Sequence, residues 1–230
     1  MKKKIGILGG ISLASTIQYY KAITDMYHEK YSNYYYPEII INSLDFQYFT
    51  DLENEGRTDE YVKYITEGIN SLKNAGAEFV IMAANSPHSV LNRISPHVDI
   101  PIISIVDAVA KKAVELNFKK VLLTGIKYTM QSSFYQDGFK INGINVTTPC
   151  EEDQNEINSI IFNELVVNDI KQETKERFKK IIEPYDADGI ILGCTELPLL
   201  LKQCDTNLIL LDSLALHAKA ALEHSLGKKL

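Results

Sequence analysis

The chain has 230 residues, of which 45% are hydrophobic and 23% charged, so it can form a folded core and is neither disordered nor fibrous. Its 24 basic and 30 acidic residues give a formal net charge of -6, and the basic residues are scattered, which argues against a nucleic-acid-binding surface. No window contains the roughly 18 consecutive apolar residues of a membrane-spanning helix, and no secretory signal pattern is present. Three cysteines without tight spacing do not form a disulfide framework. We therefore expect a cytoplasmic protein with free thiols and with neither a nucleic-acid nor a membrane partner.

Short apolar segments alternate with amphipathic segments along the chain. The short segments end in Gly, Asn or Asp and predict strands at residues 4–8, 38–42, 79–83, 102–106, 121–124, 144–147, 189–193 and 208–211. The segments with apolar residues three and four positions apart predict helices at residues 16–27, 58–75, 107–117, 156–167 and 173–185. Because strands buried on both faces are continuous apolar runs, this alternation predicts an α/β fold with mainly parallel sheets.

An internal repeat indicates how the chain is organised. Residues 75–86 (AGAEFVIMAANS) align without a gap on residues 185–196 (YDADGIILGCTE), and residues 3–10 (KKIGILGG) resemble residues 119–126 (KKVLLTGI). The repeat predicts two pseudo-symmetric lobes, each a mainly parallel sheet flanked by helices: residues 1–104 with 212–230, and residues 105–211. Because reactive residues collect beyond the carboxyl ends of parallel strands, we expect the active site in the cleft between the lobes.

The repeat places a polar turn after one strand of each lobe. The first turn comprises residues 82–88 (MAANSPH), and the second turn comprises residues 192–198 (LGCTELP). Cys194 directly follows a strand, where backbone amides would favour its thiolate and lower its pKa. Cysteine also commonly fills space in a core. Thr195 and Glu196 favour the functional interpretation, because polar groups after a buried strand are costly unless they are used.

These residues resemble a known family. The Gly-Gly pair near the N-terminus, the Asn-Ser-x-His sequence of the first turn and the Gly-Cys-Thr-Glu sequence of the second are similar to the aspartate/glutamate racemase superfamily. Within the superfamily, the chain is most similar to the branch that contains racemases specific for L-aspartate and L-glutamate or of broader specificity. This similarity lies in residues 9–20, 41–46, 125–135, 160–165 and 193–197. The resemblance implies racemisation without pyridoxal phosphate or any other cofactor, by two bases on opposite faces of the substrate α-carbon. Cys194 would be one base.

The chain departs from this pattern at the other base. Ala84 is the repeat partner of Cys194, where the family usually has a second cysteine and the similar branch can have threonine. Alanine cannot transfer a proton. There are four alternative explanations. Another group or a water acts on that face of the substrate, the reaction uses only one base, the protein no longer racemises, or the alanine is an engineered substitution. The alternative functions are a single-cysteine decarboxylase or isomerase of the same superfamily and a catalytically impaired amino-acid-binding homologue.

The remaining candidates would bind an acidic or polar amino acid. The candidate substrate-binding residues are Ser12, Gln47, Asn85, Ser86, Thr129, Thr195 and Glu196, and further candidates are His88, Arg57 and Lys127. By the resemblance, Asn85, Ser86, Thr129 and Thr195 would bind the α-carboxylate.

Several of these assignments have structural alternatives. Arg57 or Lys127 would pair with a distal carboxylate, and Gln47 would be a neutral contact. Ser12 is equally explained as a helix N-cap, and His88 either contacts substrate or bonds the backbone. His217, on a helix, is better explained as structural. We expect no metal site and a homodimer, for which the tyrosine-rich residues 32–41 are one candidate surface.

Overall fold

The computed structural model describes residues 2–227. Two compact units make up the fold, the first within Met1–Ile105 and His217–Leu230 and the second Val106–Leu216. Each unit contains a parallel sheet flanked by helices, so the predicted α/β fold with two parallel sheets is confirmed. Within the described residues, no helix is long and apolar enough to cross a membrane.

The first unit has a three-stranded parallel sheet of order β2-β1-β3. Its strands are β1 (Ile5–Gly9), β2 (Ile39–Ser43) and β3 (Phe79–Met82), with Ile5 in register with both Ile39 and Phe79. Its helices are α1 (Leu13–Tyr31), α2 (Phe46–Asn54), α3 (Thr58–Asn74) and α4 (Leu91–Ile94), with short 3-10 helices at Ser86–Val90 and Ser95–His97. Strand β1 is buried throughout, as expected for the central strand of a sheet covered on both faces.

The core of the first unit forms where α3 packs on the sheet. Ile65, Ile69 and Leu72 recur at helical spacing and are fully buried in one cluster with Leu8 and Val80. Burying an aliphatic side chain of this size contributes about 1.5–3 kcal/mol, so this one face of α3 is a major source of the unit's stability.

The second unit has a four-stranded parallel sheet of order β5-β4-β6-β7. Its strands are β4 (Lys120–Gly125), β5 (Asn145–Thr147), β6 (Gly189–Gly193) and β7 (Ile209–Asp212). Its helices are α5 (Ile105–Glu115), α6 (Lys127–Gln131), α7 (Phe134–Lys140), α8 (Glu151–Ile160), α9 (Gln172–Ile182), α10 (Leu197–Leu200) and α11 (Ser213–Ser225). A π-helical turn, Ile161–Leu165, continues α8, and a 3-10 helix covers Gln203–Asp205. Helix α11 begins in the second unit, and from His217 onward it belongs to the first unit.

The predicted strand at residues 102–106 is wrong. Only an isolated bridge between Val80 and Ile102 forms, flanked by hydrogen bonds from Val80 N to Pro101 O and from Ile103 N to Val80 O. Helix α5 begins at Ile105, so the apolar run is divided: Ile102 and Ile103 precede the helix, and only Ile105 and Val106 belong to its buried first turn. Helices α2, α6 and α7 were not predicted, since each is short and the last two are separated only by Ser132 and Ser133.

Candidate functional site

The second turn places a thiol and a hydroxyl on one carboxylate at the end of β6. Cys194 Sγ donates to Glu196 Oε2 at 2.9 Å, and Thr195 Oγ1 donates to the same oxygen at 2.8 Å. Thr195 and Glu196 are buried, while Cys194 is half-buried. The turn is closed by a hydrogen bond from Leu197 N to Cys194 O at 3.2 Å. This geometry can pass the thiol proton to a neighbouring carboxylate.

The surroundings of Cys194 favour the neutral thiol. Burial raises its pKa well above the ordinary value, and the negative charge of Glu196 raises it further. The sequence-based expectation of a lowered Cys194 pKa is therefore wrong. The nearest charge is an anion, and its effect with that of burial exceeds the stabilisation of the thiolate by the backbone amides of Thr195 and Glu196.

Close backbone packing holds the second turn in place. A Cβ on Gly193 would lie 2.6 Å from Thr124 O, so only glycine allows the ends of β4 and β6 to approach this closely. Thr129 on α6 covers this junction, 3.5 Å from the same position, and is fully buried. Its Oγ1 has no hydrogen-bond partner among the described residues.

The first turn follows β3 and carries no thiol. Ala84 is half-buried, and Asn85 and Ser86 are buried. His88 N donates to Asn85 O at 3.0 Å, which starts the 3-10 helix after the turn. The first turn therefore presents an amide and a hydroxyl where the second presents a hydroxyl and a carboxylate.

A carboxyl group from a neighbouring helix reaches the first turn. Glu53, at the end of α2, is hydrogen-bonded to the side chain of Ser86, and Tyr61 Oη donates to its Oε1 at 2.8 Å. Burial raises the pKa of Glu53, and the two hydrogen bonds offset part of that shift. Sequence reasoning missed Glu53. The available signal was its spacing of three or four residues from the apolar positions of α2, which places it beside Phe49 on the buried face.

Two buried histidines stabilise the backbone behind the first turn. A carbonyl oxygen only accepts, so His88 Nδ1 donates to Ala84 O at 3.1 Å, and its Nε2 accepts from Ile105 N at 3.2 Å. By the same logic His217 Nε2 donates to Ile103 O at 2.9 Å, and Tyr19 Oη donates to its Nδ1 at 2.8 Å. Burial lowers the pKa of His88 to about 4 and that of His217 to about 3. Both rings are neutral at physiological pH, and both bond the backbone.

Comparison with known proteins identifies the family. A family model described as Asp/Glu/Hydantoin racemase matches residues 8–221. The chain belongs to this family. It is 27% identical over 223 residues to the broad specificity amino-acid racemase RacX of Bacillus subtilis, covering 95% of this chain and 96% of RacX.

Solved racemase-family structures share the fold. PH1733, an aspartate racemase homologue from Pyrococcus horikoshii OT3, is 39% identical with a TM-score of 0.86, covering 98% of this chain and 99% of that one. The aspartate racemase of Picrophilus torridus, at 24% identity, has a TM-score of 0.77 over 99% of this chain and 96% of that one and shows the likeness of fold alone. The resemblance read from the sequence is confirmed, and the chain is a racemase-type isomerase of a family that acts on small amino-acid substrates.

The candidate cations of this racemase-family chain are engaged with surface carboxylates. Arg57 forms ion pairs with Glu55 at 3.1 Å and with Glu60 at 2.6 Å. Lys127 Nζ donates to Asn155 at 2.8 Å and lies 3.6 Å from Glu151. Either residue would have to exchange partners to bind a substrate carboxylate.

The remaining candidate residues and the other two cysteines lie outside the two turns. Ser12 is the N-cap of α1 and accepts from Ser15 N at 3.3 Å, and Gln47 is exposed and donates to Asp51 at 2.8 Å. Cys150 and Cys204 are exposed thiols. In the described part of the chain, no group of three His, Cys, Asp or Glu side chains is arranged to hold a metal ion.

Proposed function

We propose that the protein is a cofactor-independent amino-acid racemase in which Cys194 moves the α-proton and the usual second base is replaced at Ala84. The observation that carries this proposal is the hydrogen bond from the Cys194 thiol to Glu196 in the turn after β6. Membership of the Asp/Glu/hydantoin racemase family supports it.

The chemistry of the second turn suits a weakly acidic α-proton. Cys194 becomes a base when its thiol proton moves to Glu196 Oε2, 2.9 Å away. The same burial that raises the pKa of the thiol makes the thiolate, once formed, a stronger base than an exposed one. Thr195 donates to the same carboxylate oxygen and holds it next to the sulfur.

We further propose that buried polar side chains bind the substrate α-carboxylate. Thr129 Oγ1 lacks a hydrogen-bond partner among the described residues, and it lies beside the end of β6 from which Cys194 projects. Asn85 and Ser86 offer an amide and a hydroxyl on the first turn. Hydrogen-bond donors at the carboxylate stabilise the charge that develops when the α-proton leaves.

The substrate is proposed to be an acidic or polar amino acid. Arg57 and Lys127 each form ion pairs with surface carboxylates. Neither cation is therefore set aside to bind a carboxylate in the side chain of the substrate. Gln47 is proposed as a neutral contact, which requires its amide to leave Asp51. The broad specificity stated for the relative RacX supports testing neutral amino acids together with aspartate and glutamate.

The test is exchange and inversion of single enantiomers in deuterium oxide. Aspartate, glutamate, glutamine, serine and alanine are each incubated as the L- and the D-form, and the α-proton signal and optical rotation are followed. We expect the wild type to exchange at least one of them and Cys194→Ala to abolish that exchange. Cys204→Ala, which removes an exposed thiol, is the matched control and keeps full activity. Absence of exchange and inversion for every amino acid would contradict the proposal.

The observation at Ala84 favours a second candidate function. A single-cysteine decarboxylase or isomerase of the same superfamily needs to protonate its planar intermediate on one face only, and the first turn has no thiol. Release of carbon dioxide from substituted malonates, lost in Cys194→Ala, would support the decarboxylase. Calorimetric binding of an amino acid without any exchange would instead support a catalytically impaired binding protein.

We also propose a homodimer in the cytoplasm. Leu13, Ile17 and Tyr20 form an exposed apolar stripe at helical spacing on α1, which suits contact with a second copy. The exposed thiols of Cys150 and Cys204 suit a reducing compartment. Light scattering is expected to show a dimer for the wild type and a monomer for Ile17→Lys, whereas Glu29→Lys, also exposed on α1, remains a dimer. A monomeric wild type would contradict the homodimer.

A further inference from the structure

Two side-chain hydroxyls hold the end of β6, immediately before Cys194. Thr124 Oγ1 donates to Ile191 O at 2.9 Å, and Ser213 Oγ donates to Leu192 O at 2.8 Å. Thr124 belongs to β4, and Ser213 directly follows β7 as the first residue of α11, so the hydroxyls reach β6 from the strands on its two sides. The carbonyl groups two and three residues before Cys194 are therefore held by side chains.

A buried tyrosine lies behind the Ser213 hydroxyl. Tyr135, on α7, is fully buried and is hydrogen-bonded to the side chain of Ser213. A serine hydroxyl has a single hydrogen, and Ser213 donates it to Leu192 O, so Tyr135 Oη is the donor in its bond with Ser213. Burial raises the pKa of Tyr135, which keeps this hydroxyl protonated and able to donate. Tyr135 Oη, Ser213 Oγ and Leu192 O thus form a directed chain of hydrogen bonds, called the hydroxyl chain below.

Packing alone does not require the Tyr135 hydroxyl. Phe139 lies one turn further along α7 and is equally buried, with its ring centroid 6.0 Å from that of Tyr135. A phenylalanine would fill the Tyr135 position at nearly the same volume, and burying a hydroxyl costs free energy unless it is hydrogen-bonded. The bond to Ser213 compensates that cost. It also polarises the Ser213 hydroxyl and strengthens the next bond, to Leu192 O.

The position of the Cys194 sulfur depends on the peptide groups that the hydroxyl chain holds. Cys194 Sγ donates to Glu196 Oε2 at 2.9 Å, and the backbone amides of Thr195 and Glu196 also bond the sulfur. These contacts weaken steeply with distance and angle, so a small shift of the end of β6 changes them. Catalysis is equally sensitive, because misplacing a reacting group by about 1 Å can cost about 100-fold in rate.

We propose that Tyr135 is a positioning residue for α-proton transfer, which acts through Ser213 and the Leu192 carbonyl to fix the Cys194 sulfur. This inference rests on the proposed function, in which Cys194 moves the α-proton. Tyr135 and Ser213 exchange no proton with the substrate in this role. Their effect reaches the reaction through the backbone at the end of β6.

The test is a double-mutant cycle on α-proton exchange in deuterium oxide. Tyr135→Phe, Ser213→Ala and the double variant are compared with wild type on the enantiomer that the wild type exchanges fastest, at a temperature at which circular dichroism shows every variant folded. We expect kcat to fall about tenfold in each single variant with KM within about twofold of wild type, because the sulfur is displaced while substrate binding is kept. The double variant is expected to match Ser213→Ala, because Tyr135 acts through Ser213.

Two further variants separate this role from a general loss of structure. Ser213→Thr keeps the hydroxyl and is expected to recover kcat to within about threefold of wild type. Tyr185→Phe is the matched control, since it removes a tyrosine hydroxyl of the same unit that accepts from Cys150 N at 2.9 Å, and it is expected to keep the wild-type kcat.

Alkylation of Cys194 by iodoacetamide, followed by peptide mass spectrometry, reports on the same sulfur without a substrate. We expect Tyr135→Phe to raise the alkylation rate at least about threefold, because a displaced sulfur is held less closely by Glu196.

The outcomes distinguish this inference from the proposed function. A wild-type kcat in Tyr135→Phe, a fall in kcat matched by a comparable change in KM, or losses that multiply in the double variant would overturn the inference and leave Cys194 catalysis standing. An alkylation rate in Tyr135→Phe equal to that of wild type would overturn the positioning of the sulfur, whatever the exchange rates. A wild type that exchanges no amino acid would overturn the proposed function and, with it, the role of Tyr135 in proton transfer.

Discussion

Acidification is expected to destabilise the first unit because two buried histidines must remain neutral in its folded state. His88 bonds Ala84 O and Ile105 N, and His217 bonds Ile103 O and Tyr19 Oη. Their rings lie 5.6 Å apart, so a charge on one disfavours a charge on the other. Protonation would also place a donor at each nitrogen that now accepts a hydrogen bond.

The magnitude follows from the difference between folded and unfolded pKa values. The ordinary histidine pKa is 6.5, against about 4 for His88 and about 3 for His217 in the folded protein. Between these values the unfolded chain binds protons that the folded chain does not, so stability falls as pH falls. At about pH 5 each histidine lowers the free energy of unfolding by about 2 kcal/mol relative to about pH 8, or about 4 kcal/mol together. That is a large part of the 5–15 kcal/mol typical of a domain.

Urea unfolding followed by circular dichroism at pH 8, 7, 6 and 5 measures this loss. His217→Gln and His88→Gln are each expected to reduce the pH-dependent loss by about half, whatever their stability at pH 8. His97→Gln, which removes an exposed imidazole, is expected to leave it unchanged. The raised pKa of Glu53 acts in the opposite direction, stabilising the fold as pH falls, and cancels when variants are compared with wild type. An equal pH dependence in wild type and His217→Gln would refute the reasoning.

Three further predictions concern the two turns. Ala84→Cys restores a thiol at the repeat partner of Cys194, so we expect inversion to rise at least about tenfold in a coupled optical-rotation assay, and an unchanged rate would argue against a proton-transfer role at this position. Cys194→Ser keeps the hydrogen bond to Glu196 but replaces the thiol by a much weaker acid, so exchange is expected to fall about 100-fold or more with little change in melting temperature. Gly193→Ala places a Cβ 2.6 Å from Thr124 O, and the expected loss of about 2 kcal/mol is measured by urea unfolding. A Gly193→Ala stability equal to wild type would show that the β4 and β6 ends can separate.

The sequence by itself determined the alternation of strands and helices and the position of the second turn. Buried parallel strands such as β4 and β6 are continuous apolar runs, and the polar residues that follow them mark where each strand ends. These signals depend only on residues that are close in the chain, so they can be read without knowing how the helices and strands pack. They failed at residues 102–106, where an apolar run with the composition of a strand forms only an isolated bridge at Ile102 and then enters α5 at Ile105.

The tertiary structure decided the electrostatics of the candidate site. The pKa of Cys194 is raised because burial and the Glu196 carboxylate act together, and neither effect can be read from the position of a cysteine after a strand. Glu53 meets Ser86 across 33 positions of sequence because α2 packs beside the first turn. Local periodicity encodes which segments form helices and strands, whereas desolvation and contacts between distant residues exist only once those segments have packed.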